Sequence, residues 1–133
     1  MEKPAREHDP PMKRILVVDD EQLLLQGFDR TLQTDLTEIT TVETGEAALL
    51  EIASSHYDLC FLDVYLPGMD GTEVLRRITT ISPKTKVIVM TAGIINDAMT
   101  ETIEKNAYMF ITKPFDLFQV RMLAKRGIGE TVP

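Results

Sequence analysis

Short runs of consecutive apolar residues alternate along the chain with longer stretches whose apolar residues recur every three or four positions. Residues 15–18 (ILVV), 59–62 (LCFL) and 87–90 (VIVM) are of the first kind. Apolar runs this short, β-branched in the case of 15–18, suit strands buried on both faces. Two weaker runs, 38–42 (EITTV) and 108–112 (YMFIT), bring the predicted strands to five.

Helical spacing fills the gaps between them. Leu24, Phe28 and Leu32 form one stripe, with Leu23 and Leu25 surplus to it and expected to be partly exposed. Ala48, Leu49, Ile52 and Ala53 follow the opening Thr44-Gly45. Val74, Leu75 and Ile78 follow the turn Pro67-Gly68-Met69-Asp70-Gly71, and Ser82-Pro83 ends that helix. Ile95, Met99, Ile103 and Ala107 stripe a fourth helix that Asn96 or Asp97 would cap. Leu117, Val120 and Leu123 mark a fifth, ending near Gly127. This alternation implies right-handed βαβ crossovers and an α/β fold: a doubly wound five-stranded parallel sheet with five helices over its two faces.

Residues 1–12 carry three prolines and no apolar period, so they read as a disordered leader. The domain is expected over 13–127, with a short tail at 128–133. A chain of 133 residues with 44% apolar residues suffices for one domain and is too short for two. No apolar run approaches the roughly 20 residues of a membrane span, and the N-terminus lacks a signal-peptide core, so a cytoplasmic location is expected. The single cysteine, Cys60, excludes an intrachain disulfide; its apolar flanks predict a buried thiol rather than a nucleophile. His8 and His56 lack ligand spacing and are expected at the surface.

The net charge of −7 disfavours direct nucleic-acid contact. The one dense basic cluster, Arg121, Lys125 and Arg126, falls at a helix end, where the dipole favours cations.

Ligand sites in doubly wound sheets lie beyond the carboxyl ends of the strands. There the chain places Asp19-Asp20-Glu21, Asp63, Thr91-Ala92-Gly93 and Lys113-Pro114. Converging carboxylates raise one another's pKa unless a cation neutralises them, and Mg²⁺ is the simplest oxygen-seeking candidate. A dinucleotide or P-loop site would want glycines and free amides after the first strand, not three acids. A carboxylate, a metal and a lysine together can accept a phosphoryl group, with Asp63, central in the sheet, as the nucleophile. On its own, the Asp19–Gln22 spacing would suit a mere capping box.

These residues resemble the receiver (response-regulator) domains of two-component signalling. The matching segments are Val17-Val18-Asp19-Asp20-Glu21, Asp63 through Pro67-Gly68-Met69-Asp70-Gly71, Val89-Met90-Thr91-Ala92 and Thr112-Lys113-Pro114-Phe115, in the family's order and spacing. The resemblance implies a flavodoxin-like sheet in strand order 2-1-3-4-5, with Asp63 as phosphoacceptor. Asp19, Asp20, Asp63 and the backbone carbonyl of Tyr65 would hold Mg²⁺. Thr91 and Ala92 would receive the phosphoryl oxygens, and Lys113 would pair with them across a Lys113–Pro114 bond expected to be cis.

Phe110, three before that lysine, would be the aromatic switch residue, though plain core packing is the alternative. Tyr65, bulky two positions after the acceptor, would screen the acylphosphate from water. Asn106 stands where the family often has glycine.

The implied partners are a sensor histidine kinase or a histidine phosphotransfer protein, and a downstream effector or fused output domain not in this chain. The face of the fourth helix, fifth strand and fifth helix would carry the signal and could form a homodimer. Two other functions compete. A Mg²⁺-dependent phosphatase with an aspartyl-phosphate intermediate would need a second acid where Tyr65 stands, and a substrate cap for which 133 residues leave no room. A receiver-like scaffold that never takes a phosphoryl group would usually lack an acid or the lysine, and this chain has all of them.

Overall fold

A computed structural model describes residues 12–93 and 95–129. Ten elements follow in strict alternation among them: β1 (Lys13–Val18), α1 (Gln22–Leu32), β2 (Thr37–Val42), α2 (Gly45–Ser54), β3 (Leu59–Asp63), α3 (Gly71–Ile81), β4 (Lys86–Thr91), α4 (Asp97–Asn106), β5 (Met109–Thr112) and α5 (Leu117–Gly127). The strands form one parallel sheet in the order β2-β1-β3-β4-β5. The predicted leader, His8 and most of the predicted tail lie outside the described residues.

Side chains on successive strand residues point to opposite faces, so the apolar runs supply both layers of core. Leu16 and Val18 of β1, Cys60 and Leu62 of β3, and Val87 and Val89 of β4 pack against α2, α3 and α4. Ile15 and Val17, Leu59 and Phe61, and Ile88 and Met90 meet α1 and α5 on the other face. Phe28 of α1 anchors that second layer, edge-on to Phe61 with ring centroids 5.1 Å apart.

The first helix buries a different stripe from the one its sequence suggests. Leu25, Phe28 and Leu32 are buried, Leu24 is half-buried, and Leu23 is 83% exposed. Leu25 is therefore core, one turn before Phe28, because seating Phe28 against Phe61 rotates the helix to that face. Ala53 is exposed at the end of α2, and Leu117 is 43% exposed at the start of α5, where Val120 and Ala124 carry the burial instead. Asn96, not Asp97, caps α4, its side chain accepting from Met99 N–H.

Two glycines of the turn after β3 have different reasons. Gly68 adopts a φ of 87°, the left-handed region that a side chain resists. Gly71 opens α3 so close to the exit of β3 that a Cβ would lie 2.2 Å from the Val64 carbonyl oxygen. Cys60 is wholly buried, and burial pushes its thiol up to about 12, the setting of an inert core residue. No helix among the described residues is long and apolar enough to cross a membrane.

Candidate functional site

Parallel register brings the predicted site together. Val18 lies beside Leu62, so Asp19 and Asp63 leave the sheet side by side. Thr91 pairs with Thr112 at the ends of β4 and β5, and Lys113 N–H donates to the Thr91 carbonyl at 2.7 Å. The Lys113–Pro114 peptide is cis.

The Lys113 ammonium lies among carboxylates. Nζ donates to Asp19 Oδ2 at 2.8 Å, to Asp63 Oδ2 at 3.1 Å and to Glu21 Oε1 at 3.3 Å. The second oxygens of the two buried aspartates take backbone donors: Asp19 Oδ1 accepts from Glu21 N–H and Asp63 Oδ1 from Tyr65 N–H, each at 2.8 Å. Asp19 and Asp63 are buried and Asp20 is exposed, yet each offers an oxygen within 4.8 Å of the others. Three hard oxygen donors around one point fit a Mg²⁺ ion.

Electrostatics in the cluster are opposed rather than balanced. Burial, the largest influence, holds the Asp19 carboxyl above its usual value; the Lys113 hydrogen bond, the Glu21 N–H and the lysine's charge pull it down, while the Asp63 charge pushes it up again. Burial works to lower Lys113, but hydrogen bonds and charge from Asp19 and Asp63 outweigh it and raise the ammonium above its ordinary value. It therefore carries its charge at neutral pH.

Asp19 also fastens the start of α1 through Glu21 N–H, so carboxylate cluster and helix entrance share one side chain. The capping box does not form: Gln22 reaches Glu43 instead, and the N-cap residue is Glu21. Thr91 is buried at the end of β4, with Ala92 exposed just beyond it. Phe110 is half-exposed on β5, so in this conformation it is not core. Tyr65, two positions after Asp63, is 42% exposed. His56 is exposed and meets Asp58 at 3.2 Å, and it is not one of the residues of the carboxylate cluster. Asn106 ends α4 and bonds back to the Thr102 carbonyl without a positive φ. The reach of Glu21 to Lys113 is the feature that spacing did not foretell, because which acid of the first loop turns toward the lysine depends on side-chain direction rather than position along the chain.

Comparison with known proteins agrees with this arrangement. Residues 15–125 match the family model of the response regulator receiver domain, and the chain belongs to that family. Its relatives include the DNA-binding transcriptional regulator NtrC of Salmonella typhimurium, 33% identical over 115 residues that cover 86% of this chain and 24% of that protein. The sporulation initiation phosphotransferase F of Bacillus subtilis is 32% identical over 114 residues, covering 86% of this chain and 92% of that protein. Among solved structures, the CheY-like receiver domain protein of Methanospirillum hungatei superposes with a TM-score of 0.82 at 27% identity, covering 88% of this chain and 94% of that one.

The chain spans about a quarter of the length of the NtrC proteins it matches. Receiver domains are phosphorylation-operated switches of two-component signalling rather than turnover enzymes. They bind Mg²⁺ at an acidic pocket and work with histidine kinases or phosphotransfer proteins and with output domains.

Proposed function

We propose that Asp63 is the phosphoacceptor of this receiver and that Asp19, Asp20, Asp63 and the Tyr65 carbonyl hold its Mg²⁺. The observation that carries the reading is the Lys113 ammonium held at 2.8 Å from Asp19 and 3.1 Å from Asp63, with an Asp20 oxygen in the same cluster. When bound, the cation would neutralise the excess carboxylate charge so that a phosphoryl dianion can approach. Everything else falls to the chain's own residues.

An Asp63 carboxylate oxygen attacks phosphorus and forms the P–O bond of an acylphosphate. The P–N bond of a donor phosphohistidine breaks, and its electron pair stays on the imidazole, which picks up a proton. Lys113 supplies a fixed positive charge to the phosphoryl oxygens, and Thr91 with the Ala92 backbone receives the others. Thr91 is drawn toward the phosphoryl group, and Phe110 turns inward from its half-exposed position into the space behind it. The face of α4, β5 and α5 then changes shape, which biases a partner, a fused output domain or a second copy of this chain.

Water slowly reverses the modification, delayed by the Tyr65 ring over the acylphosphate. The working unit is 13–127 together with Ile128, which packs into the core beside α1 and α5, flanked by a leader at 1–12 and a tail beyond, and it acts in the cytoplasm without touching nucleic acid or membrane.

The test is intact mass after incubation with acetyl phosphate and Mg²⁺. One added phosphoryl group is expected on the wild type. The adduct should be absent from Asp63→Asn and from protein treated with a chelator, and shorter-lived in Tyr65→Asn. A wild type that gains no phosphoryl group and binds no beryllofluoride in Mg²⁺ would leave only the scaffold reading.

A further inference from the structure

Four of the five helices open on a side-chain cap: Thr44, Asp70, Asn96 and Asp116 each accept an N–H of their own helix. The exception is α1, whose N-cap residue Glu21 makes no such bond. A cap favours short side chains that fold back on the first turn, and Glu is too long for it. Its carboxylate goes instead to Lys113.

An ammonium has three N–H donors, and here they meet three carboxylates, at 2.8 Å for Asp19, 3.1 Å for Asp63 and 3.3 Å for Glu21. These partners are not equivalent. The Asp19 and Asp63 side chains are 0% and 4% exposed, whereas Glu21 is 63% exposed. The longest and wettest contact costs least to break, because water replaces it.

A phosphoryl group on Asp63 brings new anionic oxygens to an ammonium with no spare donor. We propose that Glu21 is a positioning residue: it occupies the third donor of Lys113 in the unmodified protein and is the contact surrendered to the phosphoryl oxygen. This rests on Asp63 being the acceptor. Two effects of opposite sign follow. The Glu21 charge adds to the acidic cluster and favours a divalent cation. The same carboxylate competes with the phosphoryl group for Lys113 and disfavours it. A residue that only shaped the start of α1 would move both affinities together or neither.

Calorimetry on the full chain separates these cases. It would measure the Kd of Mg²⁺ and, at saturating Mg²⁺, of beryllofluoride as the phosphoryl stand-in, with thermal melts as a folding control. For Glu21→Gln we expect Mg²⁺ to bind weaker by roughly three- to fivefold and beryllofluoride tighter by a similar factor, the scale of one partly exposed charge interaction. Glu21→Asp keeps the charge but loses the reach, so Mg²⁺ affinity should stay near wild type while beryllofluoride still tightens. If Glu21→Gln leaves both constants unchanged, or shifts them in the same direction, the role is wrong. If the wild type itself binds no beryllofluoride, the acceptor assignment falls first and this role falls with it.

Discussion

The two ends of β1 carry two charge clusters built on different plans. At the amino end, Arg14 reaches Glu38 at 3.5 Å, lies over the Tyr57 ring at 4.7 Å, and gives its backbone N–H to Asp58 at 2.9 Å. Tyr57 donates in turn to Glu51 at 2.7 Å, and His56 meets Asp58 at 3.2 Å. Each carboxylate there has a donor of its own. At the carboxyl end, Asp19, Glu21 and Asp63 share one ammonium, and Asp20 lies beside them.

In the first cluster each carboxylate is half-exposed or has a separate donor; in the second, two buried aspartates and the exposed Asp20 and Glu21 gather around one ammonium. A fold gains nothing from such a surplus, since desolvation of unmatched charge costs more than it returns. The cluster at the amino end of β1 is thus satisfied by the chain itself, whereas the one at its carboxyl end leaves more carboxylates than its one ammonium can match.

Three substitutions bear on that contrast. Lys113→Ala should act most strongly, leaving Asp19 and Asp63 buried without their cation and costing about 2–3 kcal/mol in metal-free urea unfolding, somewhat below a fully buried pair because the site edge is wet. Adding Mg²⁺ should recover part of that loss, because a ligand that binds only the folded state stabilises it. A Lys113→Ala protein as stable as wild type without metal would mean the cluster is not strained.

Arg14→Met keeps the packing over Tyr57 and removes the exposed pair, so we expect a loss of about 1 kcal/mol or less, the same with and without Mg²⁺. A larger loss, or one that Mg²⁺ alters, would erase the distinction between the two ends. Asp20→Asn should have the smallest effect in metal-free protein, a gain of about 0.5 kcal/mol from relieved repulsion. In saturating Mg²⁺ the order should reverse, with the variant the less stable protein. Unfolding curves that keep the same order in both buffers would contradict the surplus-charge account.

The contrast also explains what could be read from the chain beforehand. Strand ends were legible because short buried apolar runs stop abruptly at Asp19, Asp63 and Thr91, and a parallel sheet must bring such ends to one edge. The face of α1 was not, because Leu23-Leu24-Leu25 contains no polar residue to mark the boundary. Only tertiary contact between Phe28 and Phe61 selects Leu25 over Leu24. Gly71 read as one more turn glycine; its requirement comes from the approach to Val64, which no local pattern records. Glu21 read as a third acid of the first loop, and its reach to Lys113 depends on closure of the whole sheet.

The placement of Lys113 on the rim of the sheet has a mechanical consequence. Asp19 follows β1 and Asp63 ends β3, strands bonded on both sides and packed between two layers of helices. Thr91 ends β4 and Lys113 follows β5, a four-residue strand with a single neighbour. A pull on the Thr91 carbonyl passes through one 2.7 Å hydrogen bond to the Lys113 backbone and so to a strand with little ladder to resist it. Under the proposed acceptor role, charge would arrive on a strand bonded on both sides and be passed to one bonded on a single side, as a lever needs both a fulcrum and an arm that gives.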